Sequence, residues 1–301
     1  MSHLSAVLLV LLAGTMWAAS GTAAQHFYTQ SAHVPIELTQ VRLFLSSTLF
    51  FLLAYWSGGL RRGIRALRKN PRLLAQLAIQ GILGIMIVQY SYFMGIAEGD
   101  AAATTVIGYT SPAMMILYLA VRWRRMPSTA EAGTVIVAVA GVFLLVTGGD
   151  IGRLSVPMSC IVWSLISGAT FTFAMLYPVH LLRLFDRFFL LAVCMLIGGI
   201  ALLPMTQAIA DVGSFFTAGT WLDLLVIIGF GTIVAFFAFN LGLRWLSPEE
   251  TAITATIEPV ASVIFAWLIF DTHFVMMQIV GIVLVIAAIL TPNVLRKWGY
   301  T

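Results

Sequence analysis

The sequence predicts an all-α membrane protein of ten transmembrane helices, arranged as two inverted five-helix repeats. Composition is the first reason. Of 301 residues, 60% are hydrophobic and 9% charged, about a third of the charge of an ordinary soluble domain. No aqueous fold of this size could hide so much apolar surface, so its solvent must be lipid. The second reason is a run of apolar stretches, each of about 20 residues, which is what a spanning helix needs. The third is an internal repeat between the two halves of the chain.

Segment 1 covers 4–28. Its Thr22-Ala23-Ala24 before Gln25 resembles a signal cleavage site, but no Lys or Arg precedes the apolar run, so it reads as a retained helix. Segment 2 (36–57) stops at Gly58-Gly59, and segment 3 (72–97) starts after Asn70-Pro71. Segment 4 (101–122) ends before Met126-Pro127, and segment 5 (129–147) ends at Gly148-Gly149. Segments 6 (155–182), 7 (186–208) and 8 (219–244) follow. Ser247-Pro248 then opens segment 9 (248–270), and segment 10 covers 273–292. Glycine and proline pairs are the expected punctuation. Helices are the expected form, because hydrocarbon leaves no partner for an open backbone group.

Charge assigns the ends. Arg61, Arg62, Arg65, Arg68, Lys69 and Arg72 lie between segments 2 and 3, and Arg122, Arg124 and Arg125 follow segment 4. Arg183 and Arg187 join segments 6 and 7, Arg244 ends segment 8, and Arg296 and Lys297 follow segment 10. The opposite loops carry Glu37, Glu98, Asp100, Asp150, Asp211 and Asp271, with Arg153 the one basic exception. This bias predicts an inner (plasma) membrane protein with both termini cytoplasmic. The net charge of +4 is thus an orientation signal and not a nucleic-acid footprint.

Shifting the chain by 147 residues lays segments 3–5 on segments 8–10. Leu77 falls on Leu224, Gly84 on Gly231, Gly95 on Gly242, Thr104 on Thr251, Pro112 on Pro259 and Ala140 on Ala287. The expected units are 1–148, 154–292 and a cytoplasmic tail, 293–301. Five helices is an odd number, so the second copy must enter the membrane upside down. Such inverted repeats are a mark of secondary transporters, whose substrate site lies near the midplane between the halves.

Glu258 lies near the middle of segment 9, where a carboxylate costs at least about 2.5 kcal/mol unless solvated, paired or protonated. It is the leading candidate for proton coupling or for holding a cationic substrate; the structural alternative is a carboxylate capping the break made by Pro259. Arg42 in segment 2 either gates or binds substrate, or snorkels to the outer interface; a pairing with Glu37 or another carboxylate would also fit. Trp17 and Trp163 lie near the centres of segments 1 and 6, where both can face a central cavity and stack on an aromatic or quaternary ammonium group. Tyr90 and Tyr109, with the amides Gln89 and Asn240, are further candidates for substrate contact. Pro112 and Pro259 supply kinks, and gating is the hypothesis attached to them. Cys160 and Cys194 lie within apolar segments, and the five histidines are scattered, so no metal site or cofactor is expected. There is no phosphate loop, nucleophile elbow or carboxylate pair, so neither an enzyme nor an ATP-driven pump is expected.

The order of several motifs resembles the drug/metabolite transporter superfamily, in particular its ten-helix EamA-type members. They are Gly14-Thr-Met-Trp17, Arg42, Gln89-Tyr-Ser-Tyr-Phe93, Ala101-Ala-Ala-Thr-Thr105, Ser111-Pro112, Thr251 through Glu258-Pro259, and Gly281. Family members often carry an acidic residue shortly after segments 4 and 9; here the first has Arg122-Trp-Arg-Arg125, whereas the second keeps Asp271. The resemblance implies secondary transport of amino acids or related amines, by preference export, through alternating access. Uptake of choline or another quaternary ammonium compound is the alternative. The expected partners are a small-molecule substrate and the bilayer, and a homodimer is compatible with this reading. A lipid-modifying enzyme would need clustered His, Asp or Ser at one interface, and a pure sensor would have no use for the repeat.

Overall fold

A computed structural model describes residues 2–150, 152–242, 245–246 and 248–297. Arg244 and Ser247, and the last four residues of the tail, lie outside the described residues. Helices make up the fold, and no strand occurs among the described residues. They are α1 His3–Gln30, α2 Pro35–Trp56, α3 Gly59–Lys69, α4 Arg72–Glu98, α5 Ala101–Gly108, α6 Ser111–Arg122 and α7 Thr129–Thr147. After the inter-half loop come α8 Met158–Leu176, α9 Arg187–Ala201, α10 Trp221–Gly242, α11 Pro248–Ala255, α12 Ile257–Phe270 and α13 Met276–Lys297.

Among the described residues, eight spans are long and apolar enough to cross a membrane, with α5–α6 and most of α11–α12 each counting as one. Segments 7 and 10 give the shorter apolar helices Arg187–Ala201 and Met276–Leu290. At 1.5 Å per residue, the 15 residues of α9 reach about 22 Å of a core about 30 Å thick, whereas segment 10 continues as helix to Lys297. Segment 7 stops early because Pro204 lacks an N–H and the following Thr206 and Gln207 are polar. The chain continues there as a turn and a short 3-10 segment, Ala208–Phe215.

The basic stretch after segment 2, read from the sequence as a loop, folds as the amphipathic helix α3. Gly58, at φ 70°, makes the left-handed turn into it, a conformation that suits glycine.

The irregularities of the two halves fall at matching places. Gln80–Met86 of α4 and Leu225–Val234 of α10 are π-helical, and the 147-residue shift carries the first inside the second. The chain breaks at Tyr109-Thr110 between α5 and α6, and at Thr256 between α11 and α12. There ψ is 4°, −6° and −6° instead of the helical value near −42°. Arg124 and Asp271 share the left-handed φ of 51°, and they too are 147 apart.

Packing follows the same correspondence. α1 lies on α10 and on α11–α12, and α8 lies on α4 and on α5–α6; α2 pairs with α9, and α7 with α13. Gly141 of α7 and Gly281 of α13 face each other's backbone, so a side chain at either position would collide with the other helix. Close backbone approach of this kind is a common way for membrane helices to gain packing without a hydrophobic drive.

Candidate substrate site

The two chain breaks meet. The hydroxyl of Tyr109, at the end of α5, lies 2.8 Å from Glu258 Oε2 and 3.1 Å from the carbonyl oxygen of Ala255. Proline explains the second contact. Pro259 has no N–H to donate to the carbonyl four residues back, and that carbonyl is the one of Ala255. The same logic applies to Pro112, which leaves the Gly108 carbonyl free, and Gly168 of α8 approaches that oxygen closely. Both prolines therefore occupy the first turn of a restarting helix, where the missing donor costs little. The sequence reading of a kink at Pro112 and Pro259 becomes a full break two to three residues earlier.

Helix α1 closes the crossing from the third side. A Cβ on Gly14 would overlap Ile257 and lie against the backbone of Glu258 and Ala255. Glu258 and Tyr109 are half-buried, so both keep some accessible surface deep in the fold.

A strip of hydroxyl groups extends this pair. Thr105 is four residues before Tyr109, and Ser262 is four after Glu258, so each lies one turn along the same helix face. Ser262 Oγ lies 3.3 Å from Thr105 Oγ1, and Tyr92 OH of α4 lies 2.9 Å from that same oxygen. Tyr92 rests against Gly21 of α1. In the sequence Thr105 figures only as the end of the Ala101–Thr105 motif and Ser262 not at all; their i±4 spacing from the two named residues was the available signal.

Arg42 is 8% exposed, so it does not snorkel. Its Nε donates to Thr232 Oγ1 in the π-helical part of α10 at 3.1 Å, and its guanidinium lies 5.3 Å from the Phe93 ring centroid. It is within electrostatic reach of Tyr92 and Tyr28, and Tyr92 is within reach of Glu258. The alternative pairing with Glu37 does not form. Glu37 Oε2 is held by His33 Nδ1 at 3.0 Å and by the Val34 N–H, as part of the α2 cap.

The other candidates are dispersed. Trp17 packs on Phe236 and Phe239 of α10, at centroid distances of 5.6 and 5.1 Å, while Trp163 packs edge-on to Tyr90 of α4 at 5.5 Å. The two tryptophans thus belong to two separate aromatic groups, not to one stacked pair. Gln89 is one turn before Tyr92 on α4, and its Oε1 is buried with no hydrogen-bond partner. Asn240 is elsewhere: its Oδ1 accepts from Arg187 Nη1 at 2.6 Å, and its Nδ2 donates to the Phe236 carbonyl. It joins α10 to the start of α9, because its place on α10 is four residues beyond Phe236 toward the basic end.

The acidic end holds polar contacts between the halves. His26 Nδ1 is 2.9 Å from Asp223 Oδ2, joining α1 to α10. Gln40 donates to the Thr206 carbonyl and accepts from the Ile209 N–H. A cleft of about 270 Å³ there is lined by Asp100, Ser155, Thr272, His273 and Gln278, among others. Burial pushes the Asp100 carboxyl above its ordinary range, opposed by the Ala103 and Ala102 N–H groups that it caps.

The chain resembles known proteins along most of its length. The sequence model described as the EamA-like transporter family matches residues 4–147 and again 158–293. A protein of Salmonella typhimurium named "Uncharacterized inner membrane transporter YicL" is 26% identical over 285 residues, covering 93% of this chain and 92% of that protein. A solved structure described only as "Crystal structure of protein" superposes with a TM-score of 0.62 at 15% identity, covering 100% of both chains. That likeness concerns the fold alone.

Proposed function

This chain belongs to the EamA-like transporter family, and from that premise we propose that it is a secondary transporter of small organic metabolites, namely amino acids or related amines, working as an exporter by alternating access. The observation that carries the reading is the meeting of the two chain breaks at Glu258 and Tyr109. Broken helices put free backbone carbonyls and an ionisable side chain at membrane depth, which is tolerated where protein or a water-filled cavity receives them. In transporters such breaks form the substrate and coupling-ion sites.

Each residue has a role in this reading. Glu258 holds the coupling proton or the substrate's ammonium group, and Tyr109 orients its carboxylate. Gln89, with an unpaired buried oxygen, and Tyr90, Trp17 and Trp163 line the approach. Arg42, Pro112 and Pro259 carry the motion between states. The matching π segments, breaks and helix contacts support two inverted repeats, 1–148 and 154–292, rocking about this crossing. The name of the similar Salmonella protein supports an inner-membrane location, and the basic loops support cytoplasmic termini.

Glu258→Gln is the test, made on purified protein in proteoliposomes loaded with labelled amino acids. Transport should be lost or uncoupled from the proton gradient, with expression near normal. Full, gradient-dependent transport in that variant removes Glu258 from the mechanism. A second reading, uptake of choline or another quaternary ammonium compound, is favoured by the lack of any Lys or Arg partner to Glu258 among the described residues. A ligand that binds only the folded protein raises apparent stability by about 2.7 kcal/mol at a hundredfold excess over Kd. Thermal shifts with choline but not with amino acids would select this second reading.

A further inference from the structure

Helix α3 has no part in the transport reading, yet it is a built feature. It lies across the ends of α2, α4 and α9. A Cβ on Gly63 would overlap the Phe189 ring, and one on Gly59 would overlap the Asp186 side chain. Leu60, Ala66 and Leu67 join the apolar cluster of Leu73, Leu77, Phe185 and Phe189. At 100° per residue, these inward positions share one face. Arg61, Arg62, Arg65, Arg68 and Lys69 fall within an arc of about 120° on the other. All five are exposed, as is Arg72 just beyond.

The charge on this surface is almost unopposed. Among the described residues, the one carboxylate near it is Asp186, 4.0 Å from Arg62. Arg62 also donates to the carbonyls of Ser57 and Gly58. Among the described residues, Arg61, Arg65, Arg68 and Lys69 have no carboxylate within ion-pair distance. An aromatic and apolar rim borders the basic arc: Trp56 is 76% exposed, Tyr55 58% and Ile64 41%. Tryptophan and tyrosine with this exposure belong at the headgroup level of a bilayer, and guanidinium groups bind phosphate oxygens in paired hydrogen bonds.

We propose that α3, together with Trp56, is a binding site for the phosphate headgroups of anionic phospholipids in the surrounding bilayer. An orientation signal alone needs positive charge but no docked helix, no inward glycines and no aromatic rim. Here the glycines fix the helix against α9, so the charges are held at one height beside the rim. Basic side chains near an anionic surface each contribute about 1 kcal/mol, which is about fivefold in lipid preference.

The test uses the full-length protein, purified and incubated with phosphatidylglycerol and phosphatidylcholine in equal amounts, with retained lipid read by native mass spectrometry. The wild type should retain phosphatidylglycerol preferentially. The triple variant Arg61→Gln, Arg65→Gln, Arg68→Gln should lower that preference by roughly a hundredfold, at about fivefold per charge. Equal retention of the two lipids by the wild type, or an unchanged preference in the triple variant, overturns the proposal. If the triple variant does not reach the membrane, the wild type still decides. Its preference must fall as salt is added, and a preference indifferent to salt overturns the proposal equally.

Discussion

Replacing Tyr109 with Phe removes one oxygen atom from the place where the two chain breaks meet. That oxygen lies within hydrogen-bond distance of two acceptors, Glu258 Oε2 at 2.8 Å and the Ala255 carbonyl at 3.1 Å. The carbonyl has no replacement donor in its own helix, because the residue four further on is Pro259. A hydrogen bond to a charged group is worth about 1.5–3 kcal/mol net, and one between neutral groups about 0.5–1.5. Tyr109→Phe should therefore destabilise by about 1.5–3 kcal/mol if Glu258 receives the proton as a carboxylate. In Glu258→Gln the same hydroxyl meets a neutral amide, so the further loss on adding Tyr109→Phe should be smaller by about 1 kcal/mol. The assay is a double-mutant cycle on thermal midpoints in detergent, where each kcal/mol moves the midpoint by about 2–4 °C for chains of 150–250 residues. Two effects that add within about 0.5 kcal/mol, as distant sites do, would refute the claim that the two breaks are joined through this bond.

Three further perturbations test other parts of the structure. Trp17→Leu and Trp163→Leu each open space beside Phe239 or Tyr90, and should weaken binding of the ligand that the thermal-shift screen identifies; unchanged affinity in both rejects an aromatic lining of the site. Arg124→Gly relieves a left-handed residue, a conformation that costs a non-glycine side chain roughly 1–2 kcal/mol, and should raise the thermal midpoint by a few degrees; a lower midpoint would mean that the arginine makes an unrecognised contact. Asp100 has a raised folded-state pKa, so its charged form disfavours folding at neutral pH, and this cost disappears as pH falls through the folded value toward the unfolded value of 3.8. Asp100→Asn keeps the helix cap and should remove that part of the pH dependence, read from midpoints between neutral pH and pH 4; an unchanged profile rejects the assignment.

The order of spans, their apolar character and the residues worth testing were legible in the sequence, because each depends on local composition. Glu258 stood out for its cost in lipid, and Pro112 and Pro259 stood out as a repeated break. The helix α3 was missed as a helix because five of its eleven residues are Arg or Lys, and its apolar positions matter only once α9 lies beneath them. The length of α9 was overread because hydropathy does not register where a proline and a polar pair stop the backbone. Partnership was beyond the sequence altogether. Trp17 and Trp163 look alike in one dimension, yet α1 packs on α10 while α8 packs on α4, so each finds a different aromatic neighbour. Asn240 looked like a membrane-depth amide, but the start of α9 brings Arg187 to it.

What the sequence by itself determined is the apolar character of the spans, the 147-residue correspondence and the two prolines that it repeats, all set by spacing along one chain. Tertiary structure alone decided that the break at Thr256 faces the break at Tyr109. Their residues are about 147 apart, and a contact over that distance comes from helix packing, in which close backbone approach at Gly14 and Gly21 brings α1 against both halves at once.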